Sequence, residues 1–156
     1  MNTRLKAQRV ASFTLALMLL LALFPAADAF AGNLEGLRSG SLSDGDLAQG
    51  TTIVVVWASW SPKCRDIAER LNALEKRWGS RARVVSVNYQ EKRADVEKFV
   101  DGAGLAVPVF LDPDADFSRK NSITTLPGLL VVRDGKPAYR GRFPDDPDKL
   151  LGEVLN

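Results

Sequence analysis

The chain of 156 residues contains no histidine and a single cysteine, Cys64. Its two methionines, Met1 and Met18, both fall in the first eighteen positions. These absences exclude several kinds of chemistry. One cysteine cannot form an intramolecular disulfide. Without histidine there is no imidazole for acid–base catalysis. A zinc or copper centre draws on several His, Cys or Met donors, so no intramolecular soft-metal site is expected, and no cofactor is implied. An excess of either charge is also missing. Lys and Arg number 21 and Asp and Glu 19. Arg4, Lys6, Arg9 and Asp28 lie in the first 29 residues, so the rest of the chain is electrically neutral. No basic patch points to a nucleic-acid partner.

The first thirty residues differ in kind from the rest. A basic start is followed by an apolar run from Val10 to Phe24, closed by Pro25. Ala27-Asp28-Ala29 and Ala29-Phe30-Ala31 both read A-x-A. This is the layout of a secretory signal peptide, expected over residues 1–29 with cleavage near 29 or 31. The run falls short of the roughly 20 residues a membrane-spanning helix needs, which disfavours the alternative, an uncleaved inner-membrane anchor. No cysteine follows closely enough for a lipid anchor. Periplasmic or secreted location is the expectation, without stable membrane association once the signal is removed.

Residues 30–50 are rich in Gly, Ser and Asp and read as an irregular lead-in, with Leu42-Ser43-Asp44 capping one helical turn. A single domain over 51–156 follows. Thr52 to Ala58 is continuously apolar and β-branched, the pattern of a strand covered on both faces. Pro62 suits a first helical turn. Ile67, Leu71, Leu74 and Trp78 continue at helical spacing, and Gly79 stands at the C-cap. Val84 to Asn88 is a second buried strand, and Ala94 to Val100 a helix stopped by Asp101-Gly102. Val107 to Leu111 is a short strand. Asp112-Pro113-Asp114 opens a helical turn toward Asn121; it lacks the rest of a calcium-loop pattern. Leu129 to Arg133 and Pro137 to Arg142 flank an Asp134-Gly135 hairpin turn, and Asp146-Pro147 starts a last helix. The order β-α-β-α-β-α-β-β-α predicts an α/β fold, a mixed sheet with helices on both faces.

The segment Trp57-Ala58-Ser59-Trp60-Ser61-Pro62-Lys63-Cys64 has the layout W-A-x-W-C-x-x-C, with serine at the first cysteine position. Together with Val84–Asn88 followed by Val107–Pro113, and with Thr125-Leu126-Pro127-Gly128 leading into the hairpin, it resembles thioredoxin-fold proteins. The nearest resemblance is to thiol–disulfide oxidoreductases of the TlpA/ResA type, over roughly residues 40–156. The resemblance implies a thioredoxin-like fold with the αβ insertion of that group. It implies that Pro127 is a cis-proline packed beside the active turn, and that the degenerate pair Ser61 and Cys64 occupies the place of the reactive dithiol. In such proteins one thiolate attacks a substrate disulfide and the second resolves the mixed disulfide. Two departures stand out. The preceding strand has only Thr51 and Thr52 where the group often has an acidic residue, and Lys63 to Trp78 contains no helix-bending proline.

Each site residue has a bland and an active reading. Ser61 suits an N-cap, worth on the order of 1 kcal/mol. Cys64, in the resolving position, reads either as an inert buried thiol or as a thiol active by itself. Trp57 is expected buried and Trp60 exposed, where an aromatic ring holds a partner. Trp60, Pro62, Leu126 and Pro127 are the candidate client-binding residues. The functional expectation is an exported protein that binds a polypeptide or thiol-containing client of the cell envelope, or exchanges through one thiol, without dithiol turnover. A single-cysteine peroxidase is the alternative, because Ser61-x-x-Cys64 also resembles the peroxiredoxin Thr/Ser-x-x-Cys motif; Trp57 stands where that motif has proline. Many arginines are available, among them Arg65, Arg119, Arg133, Arg140 and Arg142, and the sequence does not place one beside the thiol.

Overall fold

The computed structural model describes residues 32–38 and 40–156. The expected signal peptide lies outside them. Among the described residues, no helix is long and apolar enough to cross a membrane.

Seven strands form one mixed sheet. They are β1 (Leu34–Gly36), β2 (Ser41–Leu42), β3 (Thr51–Trp57), β4 (Arg83–Tyr89), β5 (Val109–Asp112), β6 (Gly128–Arg133) and β7 (Lys136–Arg142). Their order across the sheet is β2-β1-β5-β4-β3-β6-β7. β3, β4 and β5 run parallel, while β6 pairs antiparallel with β3 and β7 with β6. The helices are α1 (Asp44–Leu47), α2 (Ile67–Trp78), α3 (Arg93–Ala103), α4 (Asp116–Lys120) and α5 (Pro147–Leu155). This is the thioredoxin-like α/β fold with helices on both faces of a central sheet.

Strand alternation divides the core. Ile53, Val55 and Trp57 pack with Ile67, Leu71 and Trp78 of α2, Val96 and Val100 of α3, and Leu151 of α5. Val54 and Val56 face the other way, toward Leu47 of α1 and Phe117 of α4. β3 is therefore buried on both faces, as its unbroken apolar run requires. Its carboxyl end carries the site.

Two local expectations are corrected, and the Gly79 C-cap is as expected. The lead-in is not irregular: β1 and β2 extend the sheet, with Glu35 opposite Leu111 and Gly36 opposite Phe110. Leu34 and Leu42 are the reason, since each buries its side chain in the second core cluster. α3 does not stop at Asp101-Gly102. It runs to Ala103 and ends at Gly104, whose left-handed φ of 63° closes the helix with its N–H on Val100 O. Gly79 ends α2 in a right-handed conformation. Glycine is needed there for space, because a Cβ would lie 2.6 Å from Glu75 O.

The lead-in cap and the hairpin turn carry the expected chemistry. Ser43 and Asp46 form a capping box at α1. Asp134 and Gly135 both adopt positive φ in the hairpin turn. The Asp112 carboxylate accepts from Phe117 N (3.1 Å), Ser118 N (3.0 Å) and Ser118 Oγ (2.7 Å). Asp112 thus anchors the start of α4, and no group of metal-ligating side chains forms among the described residues.

Candidate functional site: the Ser61–Cys64 turn

β3 ends at Trp57, and the chain turns over Ala58–Ser61 into a 3₁₀ turn at Pro62–Cys64. Ser61 N donates to Ala58 O at 3.2 Å, and Cys64 N donates to Ser61 O at 2.9 Å. α2 proper begins only at Ile67, after Asp66 leaves helical geometry at φ −100°, ψ 16°. The expected continuous helix from Pro62 is therefore broken at Asp66, with no proline between Lys63 and Trp78. This also corrects the role of Ser61. Its hydroxyl makes no cap hydrogen bond. The tight 3₁₀ winding takes up the Ser61 carbonyl instead, and Pro62 at the first position has no N–H to be capped.

Exposure separates the residues sharply. Cys64 is 0% exposed and sits in the same cluster as Ile67, Leu71 and Trp57. Ser61 is buried as well. Trp60, its immediate neighbour in the chain, is 59% exposed. Trp57 is wholly buried and lies 5.0 Å, ring centroid to centroid, from Phe99. Pro62 is exposed, Leu126 half-buried and Pro127 buried. The Leu126–Pro127 peptide is cis. Gly128 follows because nothing larger fits: a Cβ there would lie 2.5 Å from Ile123 Cγ2 and 2.9 Å from Thr125 O.

Of the candidate client-binding residues, Trp60 and Pro127 line separate depressions. Trp60 lines a broad cleft of about 840 Å³ between the turn and α3, with Phe99, Gly102 and Ala103 as its apolar part. Pro127 lines a smaller polar cavity of about 260 Å³ with Lys63, Asp66, Arg70 and Arg142. Arg70 is fixed there: it donates to Pro144 O at 2.6 Å and stacks over the Phe143 ring at 4.4 Å. The arginines named from the sequence are engaged elsewhere or turned to solvent. Arg119 pairs with Asp116, Arg133 donates to Val154 O, and Arg142 pairs with Asp145. Arg65 and Arg140 are exposed.

One residue of the site has no counterpart in the sequence reading. Glu91, in the loop between β4 and α3, accepts from Ser59 N at 2.7 Å, from Asn88 Nδ2 at 2.6 Å and from the Ser59 hydroxyl. The available signal was Asn88, a polar residue closing a buried apolar strand, with an acid three positions on.

Known proteins share this frame. The Redoxin family model matches residues 24–154. The chain belongs to the redoxin family. Among solved structures, this redoxin resembles a putative thiol:disulfide interchange protein DsbE from Chlorobium tepidum, with 24% identity, a TM-score of 0.70, and coverage of 82% of this chain and 95% of that one. It also resembles the exposed lipoprotein thioredoxin of Streptococcus pneumoniae, at 18% identity and TM-score 0.69, covering 79% of this chain and 96% of the other. A secreted Mycobacterium tuberculosis disulfide oxidoreductase matches at 18% identity and TM-score 0.66, over 83% and 98% of the two chains. At these identities the likeness is one of fold.

Proposed function

We propose that this redoxin is an exported client-binding protein with a degenerate Ser61-x-x-Cys64 site, which holds a polypeptide of the cell envelope without dithiol turnover. The observation that carries this reading is the division of exposure at the turn: the one thiol is wholly buried and the neighbouring Trp60 is in solvent. A disulfide reductase needs a second thiol to release its mixed disulfide, and the chain has one cysteine. A peroxidase, or exchange through one thiol, needs that thiol open to its reactant. Cys64 offers no accessible surface. An exposed aromatic ring beside a cleft that sets an apolar part, Phe99, Gly102 and Ala103, among charged side chains is instead a surface that polypeptide side chains recognise. Export and cleavage of the signal rest on the basic, apolar and A-x-A segments of residues 1–31; N-terminal sequencing that found Met1 on a membrane-bound product would contradict cleavage.

The test uses a client without thiols. Reduced, carboxymethylated α-lactalbumin is permanently unfolded and cannot exchange disulfides. Wild type should bind it, and Cys64→Ala should bind with nearly unchanged affinity. Trp60→Ala should weaken binding by about tenfold, the effect of one exposed anchor worth about 1–2 kcal/mol. Loss of binding in Cys64→Ala with retention in Trp60→Ala would contradict the assignment of binding to the Trp60 surface.

A further inference from the structure

We propose that Glu91 is the positioning residue of this surface: its carboxylate fixes the Ser59–Trp60 segment so that Trp60 stands as a wall of the cleft against α3. The consequence for binding rests on the client-binding reading above; the positioning itself does not.

The sheet ladder stops short of Trp60. The last β3–β4 pair is Trp57 with Asn88, and the chain then leaves the sheet. Beyond it, Glu91 grips Ser59 at two atoms, the backbone N–H and the hydroxyl. The carboxylate is itself held in place from the sheet side. Asn88 is 1% exposed and donates its amide to Glu91 Oε2. Gln90, with its N–H on Asp112 O at 3.1 Å, adopts a left-handed φ of 54°. That conformation is uncommon for a residue other than glycine, and it reverses the chain immediately before Glu91. A rigid strand end, a fixed carboxylate and the residue preceding Trp60 thus form one hydrogen-bonded chain. Ser59, Trp60, Glu91 and Phe99 all line the same cleft.

Hydrogen bonding, rather than charge, does the holding in this geometry. Glutamine retains the function: its carbonyl oxygen accepts from both Ser59 N and Asn88 Nδ2, and its amide donates to Ser59 Oγ. Alanine has neither capacity.

The experiment compares wild type with Glu91→Ala, Glu91→Gln and Ser59→Ala. Acrylamide quenching of tryptophan fluorescence reports the turn, because Trp57 and Trp78 are buried and Trp60→Phe identifies the accessible signal. Glu91→Ala should alter quenching of the Trp60 signal and weaken binding of carboxymethylated α-lactalbumin about fivefold, the equivalent of one hydrogen bond. Glu91→Gln should restore both. Ser59→Ala, which leaves the backbone bond in place, should shift both in the same direction by less, and it serves as the test if Glu91→Ala does not fold. Wild-type quenching in Glu91→Ala, or in Ser59→Ala where Glu91→Ala does not fold, would overturn the proposal. Glu91→Gln behaving as Glu91→Ala would overturn it equally. Altered quenching restored by Gln, in a protein whose wild type binds no unfolded polypeptide, would sustain the positioning role and remove the client-binding reading instead.

Discussion

Ser61 and Cys64 are one turn apart and chemically far from equivalent. A thiol is reactive as an exposed thiolate; Cys64 is packed among Trp57, Ile67 and Leu71, and on the proposed reading Ser61 stands where an attacking sulfur would be. Supplying that sulfur tests the account at its smallest scale. Ser61→Cys should confer measurable reduction of insulin disulfides in the presence of dithiothreitol, because the introduced thiol can attack and Cys64 can resolve. Wild type should remain at the rate of dithiothreitol alone. Equal turnover by the two proteins would show that Cys64 needs no partner. The exposed Trp60 was legible in the sequence. The depth of Cys64 was only one of two readings, since spacing alone does not tell a first-turn thiol at the surface from one beneath it. Glu91 was signalled only by Asn88, three positions before it. Its importance comes from the reversal at Gln90 and from Ser59, which is 32 positions away in sequence.

At the scale of elements, local chemistry predicted most ends and tertiary packing moved the rest. Ser43 was readable as a cap because its hydroxyl and the Asp46 carboxylate lie three residues apart. Asp112-Pro113-Asp114 was readable as a helix start for a similar reason. α3 outran its expected stop because Gly102 is tolerated in an exposed helix at about 1 kcal/mol, while Gly104 supplies the left-handed end. β1 and β2 were hidden by their brevity: three and two residues carry too little alternation to be seen, and they exist because β5 offers an edge. The α1 cap has a pH consequence. Hydrogen bonds from the Ser43 side chain and backbone, with a smaller contribution from Arg83, hold the Asp46 carboxyl below its ordinary 3.8. A group whose pKa is lowered by folding stabilises the folded state above its unfolded value and loses that contribution as pH falls through the folded one. Asp46→Asn should therefore be less stable than wild type in chemical denaturation at pH 7, and the difference should shrink as pH falls below 3.8. A difference that stays constant down to about pH 2.5 would assign the effect to packing.

The whole molecule combines a redoxin frame with a single cysteine. The sheet, the cis Leu126–Pro127 loop and the turn at the end of β3 are all present. The frame was legible because three motifs occur in order, each tied to a backbone need: a doubly buried strand, a turn into a helix, and a proline followed by a glycine that no larger residue can replace. The client-facing surface was less so. Trp60 and Pro127 belong to different depressions, a separation that only the folded chain displays. The central claim is that this frame is used for binding while its thiol is kept out of reach. It is tested most directly by the rate at which Cys64 reacts with a thiol-specific reagent in the native protein and in the unfolded chain at the same pH. A core thiol reacts through transient opening of the fold, so the native rate should be slower by about two orders of magnitude or more. Native reaction as fast as in the unfolded chain, or faster, would mean an exposed and activated thiol, and would contradict the account.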